Sequence, residues 1–404
     1  MPSCIIPYPY YYPDDAVSSR HFTDFAEGLY LHGWNVKVLT GNRYHGKSGK
    51  IKFKHEFHNG VEIIRSWSLP FSNSKNVGRL INSFWISLIW WFKLVLVKTD
   101  VVIFGTNPPF GYYIIPLLTF IRPKLRVVLW GFDLYPEAIV ADRLKIPKIV
   151  ELFLFWWAGI SYRCCTLLID IGSCMHERFI LYHPKVYHET IVPWALKEPI
   201  VIEDSDSKMR HELFGDAKLG LLYSGTIGKA HQFEEFIFLA RELRKRGASI
   251  AFCFAGRGNS YQELCDMVTQ DDTNITFADF IDEKLLPLRL TAADIHLISL
   301  RHGWDGVSVP SKFFGSLAAG RPLLYCGTLK SCIAKWICDE NLGFILTMDN
   351  INAIADNLET LAHNTDHLQI MQKHAFSFYQ EHFSKNKQLE KWNQCLRNCV
   401  VSKK

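Results

Sequence analysis

The pattern that most restricts the fold of this 404-residue chain is an alternation of short apolar runs with segments of helical period. Such alternation predicts parallel sheets whose strands are joined by crossover helices. One helix, with a buried face that recurs at i, i+3, i+4 and i+7, lies between the first two strands and ends at Gly33. That face consists of Phe22, Phe25, Ala26 and Leu29. The predicted strands are 3–8, 35–40, 61–67, 100–105, 125–131, 167–172 and 189–192, followed by 219–224, 249–255, 274–280, 294–300, 322–327 and 343–347.

The alternation is interrupted once, at residues 198–215, where EPIVIEDSDSKMRHELFG is polar and acidic. This stretch is predicted to be a linker, and the length of the chain independently predicts about two domains. The fold class is α/β, with two Rossmann-like, doubly wound domains at 1–197 and 216–380 and a C-terminal helix at 381–404 whose docking is left open. Ligands of such sheets bind beyond the carboxyl ends of the strands. Two facing sheets would form one cleft.

Composition excludes several classes of function. The 45 Lys and Arg residues exceed the 40 Asp and Glu residues by only five, too few for a nucleic-acid-binding surface, so no nucleic-acid partner is expected. Eleven dispersed cysteines without a C-x-x-C pair indicate free thiols in a reducing cytoplasm and no metal site. No secretory signal is expected at the first residues.

One segment raises the question of membrane contact. Residues 84–97 read FWISLIWWFKLVLV, which is shorter than the roughly 20 residues of a spanning helix. A packed core helix and a membrane-surface helix both remain open. Aromatic runs at 112–118 and 153–157 and a set of basic residues support peripheral contact of the first domain with anionic lipid. The basic residues are Lys75, Arg79, Lys93, Lys98, Arg122, Lys124, Arg126, Lys145 and Lys148.

Three segments that follow predicted strands carry candidate binding chemistry. Residues 222–236 join a strand to a helix through Gly225 and Gly228, and Lys229 follows them. Residues 254–258 end the next strand with Arg257 between two glycines. Close backbone approach, free N–H groups at a helix N-terminus and cations all suit a phosphate group.

The third segment, residues 305–322, predicts a helix that Ser311 caps and Gly320 ends. Lys312 in its first turn opposes the helix dipole, a conflict that a bound anion would relieve. With Lys229 and Arg257, this indicates a diphosphate site. A Walker motif is absent, and so is G-x-G-x-x-G after the first strand, which argues against P-loop and simple dinucleotide enzymes.

Short motifs also lie in a characteristic order along nearly the whole chain. They are Tyr10-Tyr11-Tyr12-Pro13, Thr106-Asn107-Pro108-Pro109, Trp130-Gly131-Phe132-Asp133-Leu134-Tyr135-Pro136-Glu137, Pro193-Trp194-Ala195, Tyr223-Ser224-Gly225 through His231, Phe254-Ala255-Gly256-Arg257-Gly258, Ala292-Ala293-Asp294, and Val309-Pro310-Ser311-Lys312 through Gly320-Arg321-Pro322. Their order resembles that of family 4 glycosyltransferases of the GT-B fold, near the bacterial enzymes that build O-antigen, capsule and colanic-acid-type polysaccharides.

The resemblance implies transfer of a sugar, with retention of configuration, from a nucleotide-diphospho-sugar held by the second domain to a lipid-linked or glycan acceptor held by the first. A UDP-sugar, in particular an N-acetylated or deoxy amino sugar, is expected as co-substrate, with no metal or other cofactor. The expected location is cytoplasmic, with peripheral contact at the inner membrane.

The resemblance also implies roles for individual residues. Lys229 and Arg257 would stabilise the leaving diphosphate, and Asp133 would orient the acceptor hydroxyl or support developing positive charge. A capping role remains open for Asp133, and capping or packing for His231. The implied donor-binding residues are Gly225, Thr226, Gly228, His231, Gly256, Asp305, Val309, Ser311 and Lys312. The implied acceptor-binding residues are Ser18, Arg20 and Asn107.

The chain departs from the family at the two positions that usually carry glutamate, which are Val307 and Gly315 here. Gly315 has no side chain to accept hydrogen bonds from the ribose. Either backbone or another carboxylate, of which Asp305 is the nearest, then holds the ribose, or donor binding is weakened. Two alternatives therefore stay open: a GT-B protein that binds a nucleotide sugar or a partner without transfer, and a sugar-nucleotide epimerase.

Overall fold

The structure is a computed structural model that describes residues 1–45, 49–71, 76–182 and 184–401. The chain forms two compact units. Unit 1 comprises Met1–Leu196, Gly306–Ser308 and Asn386–Lys404, and unit 2 comprises Lys197–Asp305 and Val309–Lys385. The short segment Gly306–Ser308 and the C-terminal segment of unit 1 were not part of the predicted first domain, because sequence order does not reveal where a returning segment packs.

Unit 1 contains an eight-stranded sheet in the order β3-β4-β2-β1-β5-β6-β7-β8. Neighbouring strands are parallel except β3, which pairs antiparallel with β4. All five residues of β5 are buried, as expected for a central parallel strand covered on both faces. The strands are β1 (Ser3–Pro7), β2 (Asn35–Gly41), β3 (His55–His58), β4 (Val61–Ser66), β5 (Val101–Gly105), β6 (Arg126–Trp130), β7 (Leu167–Asp170) and β8 (Tyr187–Thr190); the helices are α1 (Val17–Leu31), α2 (Asn76–Leu96), α3 (Ile115–Ile121), α4 (Glu137–Ala141), α5 (Lys148–Arg163) and α6 (Ser173–Ile180), with a 3-10 turn at Gly111–Ile114.

Unit 2 contains a six-stranded, fully parallel sheet in the order β11-β10-β9-β12-β13-β14. The strands are β9 (Leu219–Ser224), β10 (Ile250–Ala255), β11 (Ile275–Ala278), β12 (Ile295–Leu300), β13 (Leu323–Gly327) and β14 (Gly343–Leu346); the helices are α7 (Ser207–Phe214), α8 (Glu234–Lys245), α9 (Tyr261–Met267), α10 (Leu286–Ala292), α11 (Lys312–Ala318), α12 (Cys332–Glu340), α13 (Ile351–Ala362) and α14 (Thr365–His382), with 3-10 turns at Glu283–Leu285 and Met348–Asn350.

Both Rossmann-like units of the prediction are therefore present, and each predicted strand overlaps an observed one. Only β3 was not predicted, because its sequence HEFH is polar and lies at the sheet edge. None of the eleven cysteines forms a disulfide.

The segment predicted to be a linker is partly helical. Helix α7 lies within 198–215, and its Leu213 and Phe214 are buried in unit 2. Asp206 caps this helix by accepting a hydrogen bond from the Met209 N–H at 2.7 Å. The helix was not predicted because it is short and follows a run of acidic residues. Its packing against β10 and β11 stabilises it.

The C-terminal helix, α15 (Lys385–Val401), docks on unit 1. Its Trp392 is fully buried, with its ring centroid 4.6 Å from that of Phe25 and 5.0 Å from that of Trp130. A second contact joins the Asn393 side chain to the Trp34 indole N–H at 2.9 Å. The end of the chain thereby completes the core of the first unit.

Helix α2 differs from its prediction in length. It contains 21 residues rather than 14, because Leu80 and Ile81 extend the apolar character toward its start. The stretch Val77–Leu96 is long and apolar enough to cross a membrane by length and composition, and only 28% of its apolar window is buried. The sequence-based statement that the apolar segment is too short to span a membrane is therefore wrong. Most residues of the apolar window are not buried in the protein. Lys75, one of the basic residues named above, lies outside the described residues.

Candidate functional site

The loops that follow β9 and β10 lie side by side at one edge of unit 2. The register pairs Ser224 with Ala255, so both strands end at the same level. The Gly225 N–H donates to the Ala255 carbonyl at 2.9 Å, and the Ile227 N–H donates to the Arg257 carbonyl at 3.0 Å. These bonds continue the strand pairing into the loops and hold them together.

Glycines permit this contact because the backbones of the two loops are so close that a Cβ atom would overlap the neighbouring loop. A Cβ on Gly256 would lie 1.9 Å from the Gly225 oxygen, and one on Gly258 would lie 2.0 Å from the Ile227 oxygen. Gly225 has φ +131, and a Cβ there would lie 2.8 Å from Lys312 Cε. Gly228, by contrast, has only Thr226 Cγ2 nearby, at 3.8 Å. Three of these four glycines are therefore required by the geometry of the loops.

The Lys312 side chain extends from α11 over the first of these loops. Its Nζ donates to the Thr226 carbonyl at 3.2 Å and lies 3.5 Å from His231 Nε2. The same ammonium lies 4.9 Å from the centroid of the Tyr223 ring, within cation–π range. These partners, the only ones that the described residues provide, are all uncharged.

Burial shifts the protonation of both basic groups. It lowers the pKa of Lys312 to about 8. Burial and the nearby Lys312 charge lower the pKa of His231 to about 3, although a hydrogen bond to the Ser299 carbonyl opposes the shift. His231 is then neutral at pH 7, with Nδ1 donating to Ser299 at 2.8 Å and Nε2 facing Lys312. A half-buried cation without a carboxylate partner favours the binding of an anion.

The other two predicted cations, Arg257 and Lys229, are exposed. Arg257 turns toward Asp279, to which its Nε and one terminal nitrogen both donate, and its side chain is 65% exposed. Lys229 lies in the turn before α8 and is exposed. Of the predicted cations, Lys312 contacts the Gly225 loop, and Arg257 forms an ion pair with Asp279.

The N-terminus of α8 was predicted to offer free N–H groups to an anion, but carboxylate side chains lie there. The helix begins at Glu234, after the loop has ended, and both Glu234 and Glu235 lie in its first turn. The Glu234 side chain accepts a hydrogen bond from the Phe233 N–H at 3.1 Å. Carboxylates therefore occupy the end of the helix that was expected to meet an anion.

The segment before α11 contains the predicted cap and further predicted donor-binding residues. Ser311 precedes the helix but makes no side-chain capping bond, because its backbone is already helical, so the predicted cap is wrong. Val309 is buried, and Ser311 is exposed. Asp305 accepts a hydrogen bond from the nearby Gly303 N–H at 3.3 Å.

The two positions that replace the usual glutamates have different environments. A Cβ on Gly315 would meet no described atom within 4 Å, so this face of α11 borders open space. Val307 is buried in unit 1, where its carbonyl accepts a hydrogen bond from the Leu134 N–H at 2.9 Å. Gly306 has φ +73, and a Cβ there would lie 2.3 Å from the Cys174 carbonyl oxygen. The segment Gly306–Ser308 thus packs tightly within unit 1.

Asp133 lies in the loop after β6 in unit 1. Its side chain is accessible to solvent, yet the surrounding protein raises the pKa of its carboxyl group by desolvation, and a hydrogen bond from Ser308 opposes the rise. The neighbouring Phe132 N–H donates to Thr106 Oγ1 at 3.0 Å, which ties this loop to the end of β5.

Tyr8 connects two of the predicted acceptor residues to Asp133. The Asn107 amide donates to the Tyr8 hydroxyl at 3.3 Å, and Ser18 also hydrogen-bonds that hydroxyl. The Asp133 charge acts on Tyr8 as well. Arg20 is half-buried in the first turn of α1. Three predicted residues of unit 1 thus surround one tyrosine.

Sequence reasoning missed Tyr8 and Tyr223 as members of these sites. Burial raises the pKa of Tyr8 to about 12, and it raises the pKa of Tyr223 well above its ordinary value, so both phenols keep their protons. Each lies at or next to the end of a strand, which was the one available signal. No group of three or more His, Cys, Asp or Glu side chains suited to a metal ion occurs within the part of the chain that the structure describes.

These units define the class of protein. The chain aligns over its full length with sucrose-phosphate synthase from Thermosynechococcus elongatus, covering 100% of both chains at 12% identity and a TM-score of 0.71. It also aligns with HepE from Anabaena in complex with UDP, covering 98% of this chain and 100% of that one at 11% identity and a TM-score of 0.68. The chain has the GT-B fold of glycosyltransferases.

Two relatives of known description support the same class. The chain is 26% identical over 318 residues to a probable glycosyltransferase of Pseudomonas aeruginosa, WbjE, covering 76% of each. It is 23% identical over 331 residues to a putative colanic acid biosynthesis glycosyl transferase of Escherichia coli K12, WcaI, covering 77% of this chain and 79% of that protein. No family model matches the chain. We conclude that this protein is a glycosyltransferase.

Proposed function

We propose that this protein is a retaining glycosyltransferase that moves a sugar from a UDP-sugar to a hydroxyl group of a lipid-linked or polysaccharide precursor. The observation that carries the proposal is the half-buried Lys312 ammonium, which lies above the Gly225 loop with uncharged partners. The similarity to a colanic acid glycosyltransferase and to a structure that contains UDP supports the class of acceptor and of donor.

The donor end is suited to a diphosphate leaving group. Transfer breaks the bond between the anomeric carbon and the diphosphate oxygen, and that oxygen gains negative charge. Lys312 would stabilise this charge, while the Gly225 loop lets the phosphate approach the backbone. Neutral His231 would fix the position of the ammonium through its unprotonated Nε2. Exposed Lys229 would act from the loop itself.

Arg257 takes the role that the family resemblance implies only after it leaves its present partner. Its bidentate pair with Asp279 satisfies the guanidinium, so contact with the leaving group requires that the pair open. Both side chains of this pair are largely exposed, and exposed pairs contribute little free energy. Opening is therefore inexpensive, and donor binding itself would supply the charge that draws Arg257 away.

The acceptor end of the reaction is assigned to Asp133. The acceptor oxygen forms a new bond to the anomeric carbon on the face that the diphosphate leaves, and its proton passes to a departing phosphate oxygen. Asp133 would orient that hydroxyl group, with Tyr8, Ser18 and Asn107 lining the same end of unit 1. We propose further that the reaction needs no metal, because Lys312 already supplies positive charge at the phosphates; unchanged turnover in excess EDTA is the test.

We propose that unit 1 also contacts the cytoplasmic face of the membrane. Helices α2, α3 and α5 pack against one another or against the intervening 3-10 turn and expose large apolar side chains. Phe84 is 73% exposed, Phe120 88% and Ile149 78%. Exposed cations Lys98, Lys124, Lys145 and Lys148 accompany them. Apolar area with a cationic border is typical of proteins that insert into one leaflet of an anionic bilayer.

Sedimentation with vesicles tests that contact. The wild-type protein should sediment with phosphatidylglycerol vesicles, and a variant with Phe84→Ser, Phe120→Ser and Phe153→Ser should remain in the supernatant. Each phenylalanine contributes about 1.5–3 kcal/mol when buried in an apolar phase. The control is Phe280→Ser, which replaces a phenylalanine of unit 2 that is as exposed as Phe153, and it should sediment like wild type. Loss of sedimentation in the control alone would contradict the assignment.

The reaction itself is tested in two steps. UDP should raise the melting temperature of the wild-type protein more than UMP does, because only UDP presents a diphosphate to Lys312. Proton NMR of the UDP-sugar with and without acceptor would then distinguish hydrolysis, epimerisation and transfer, and the anomeric coupling constant of the product reports retention. Epimerisation without acceptor, or UDP binding with no turnover, would refute transfer in favour of the two alternatives.

A further inference from the structure

Tyr112 has a buried hydroxyl group in the turn that follows β5. The turn spans Gly111–Ile114, and Tyr112 is fully buried in unit 1. Its ring stacks on that of Tyr162, with 5.5 Å between the centroids, and a phenylalanine would keep that contact. A buried hydroxyl group costs free energy unless it forms a hydrogen bond. The bonding partner of the Tyr112 hydroxyl group therefore indicates what this residue does.

That partner belongs to the loop that carries Asp133. The Tyr112 hydroxyl group donates to the main-chain carbonyl of Tyr135, two residues after Asp133. The Tyr162 hydroxyl oxygen lies 3.1 Å from that of Tyr112. Because Tyr112 has a single hydroxyl hydrogen, and the carbonyl accepts it, Tyr162 is the donor in the second bond. The two phenols therefore form a chain of hydrogen bonds that ends at the Asp133 loop.

Other hydrogen bonds hold the same loop on both sides of Asp133. Before it, the Phe132 N–H donates to Thr106 Oγ1 at 3.0 Å. After it, the Leu134 N–H donates to the Val307 carbonyl at 2.9 Å. The bond from the phenol chain follows at the next residue along the loop. The backbone on either side of Asp133 is therefore fixed, and the phenol chain is one of its supports.

The turn that carries Tyr112 is anchored to a helix. The next residue, Tyr113, donates through its hydroxyl group to the Leu154 carbonyl at 2.6 Å. Its own carbonyl accepts a hydrogen bond from the Trp157 indole N–H at 2.9 Å. Both partners belong to α5. A side chain that extends from so well fixed a turn can hold a neighbouring loop in one position, as a reacting group requires.

We propose that Tyr112 is a positioning residue, which holds the Asp133 carboxyl group where it meets the acceptor hydroxyl group. This inference rests on the proposed function, in which Asp133 orients the acceptor. Tyr112 is buried and acts only through the loop. Without its hydroxyl group the Tyr135 carbonyl loses this donor, and the loop can shift. A displacement of about 1 Å at a reacting group can lower the rate about a hundredfold.

Steady-state kinetics of Tyr112→Phe test the proposal, with UDP-N-acetylglucosamine as donor and farnesyl-diphospho-N-acetylglucosamine as acceptor. The variant should lose at least about tenfold in kcat and keep its affinity for UDP, because the proposed donor site lies in unit 2. In the Asp133→Asn background the same change should cause no further loss, as expected for a residue that acts through Asp133. Hydrogen exchange of the peptide at 131–136 should become faster.

The matched control is Tyr162→Phe, which removes a hydroxyl group from the same chain but leaves the bond to Tyr135 in place. It should change neither kcat nor exchange at 131–136. A wild-type kcat for Tyr112→Phe would overturn the proposal, as would an equal loss in Tyr162→Phe or a full further loss in the Asp133→Asn background, since each would indicate packing alone. Failure of the wild-type protein to transfer the sugar would instead refute the proposed function, and it is recognised without any variant.

Discussion

Replacement of Lys312 by methionine should have opposite effects on the stability of the empty protein and on its affinity for UDP. Methionine keeps the aliphatic length that packs near Gly225 and Tyr223, and it removes the charge. Burial lowers the pKa of Lys312 from 10.5 to about 8. Because the folded state disfavours the charged form, the ammonium destabilises the empty protein at neutral pH.

The magnitude follows from the shift in pKa. A change from 10.5 to about 8 corresponds to about 3 kcal/mol of lost stability at pH 7. The cation–π contact with Tyr223 returns about 0.5–1 kcal/mol, so the methionine variant should be about 2 kcal/mol more stable than wild type. The penalty is complete below pH 8 and fades between pH 8 and 10.5, as the unfolded state retains its proton and the folded state loses it. The difference between the two proteins should disappear over that interval.

Binding should change in the other direction. A diphosphate would supply the missing counter-charge, and loss of a charged hydrogen bond costs about 1.5–3 kcal/mol, or roughly 10–150-fold in affinity. Urea denaturation at pH 7 and at pH 10 gives the stabilities, and calorimetric titration with UDP gives the affinity. The control Lys245→Met removes an exposed lysine of α8 and should change neither quantity.

Two outcomes would contradict this account of Lys312. A methionine variant that is less stable than wild type at pH 7 would mean that Lys312 is not the buried, uncompensated cation described above. Unchanged affinity for UDP in a correctly folded variant would refute the assignment of Lys312 to the diphosphate.

Three further predictions concern other parts of the molecule. Asp133→Asn should lower kcat at least about a hundredfold with UDP affinity unchanged, as steady-state kinetics and titration would measure, and unaltered kcat would contradict the role of Asp133. Gly256→Ala would place a Cβ 1.9 Å from the Gly225 oxygen, so UDP affinity should fall more than about tenfold, and normal UDP binding would argue against the glycine contact. Trp392→Ala should destabilise unit 1 by about 3–5 kcal/mol in urea unfolding, whereas a loss below 1 kcal/mol would mean that α15 does not complete its core.

Much of the fold was accessible from the sequence because burial imposes a local, repeated pattern. Parallel strands covered on both faces are continuous apolar runs such as VVIFG in β5, and amphipathic helices repeat their apolar residues every three or four positions. The polar edge strand β3 and the helix α7 were missed, since neither carries enough apolar residues to form a pattern on its own. Their stability comes from the sheet that they pack against.

The candidate sites were accessible to a lesser degree, because the sequence indicates which loops follow strands but not where their side chains point. Gly225, Gly256 and Lys312 lie together as the order of strands predicts. Arg257, at an equivalent position, turns instead to Asp279, 22 residues further along the chain. The choice between ligand and ion pair depends on a carboxylate that no local pattern connects to the arginine.

The sequence by itself therefore determined two doubly wound sheets, their glycine loops and the cations that follow the strands, because backbone geometry and burial act over a few neighbouring residues. Only the tertiary structure decided that Lys312 contacts the Gly225 loop, that α15 returns to unit 1, and that α2 exposes Phe84 and Phe92 while it buries Trp90. Those outcomes depend on contacts between distant segments, whose free energies are settled when the whole chain packs.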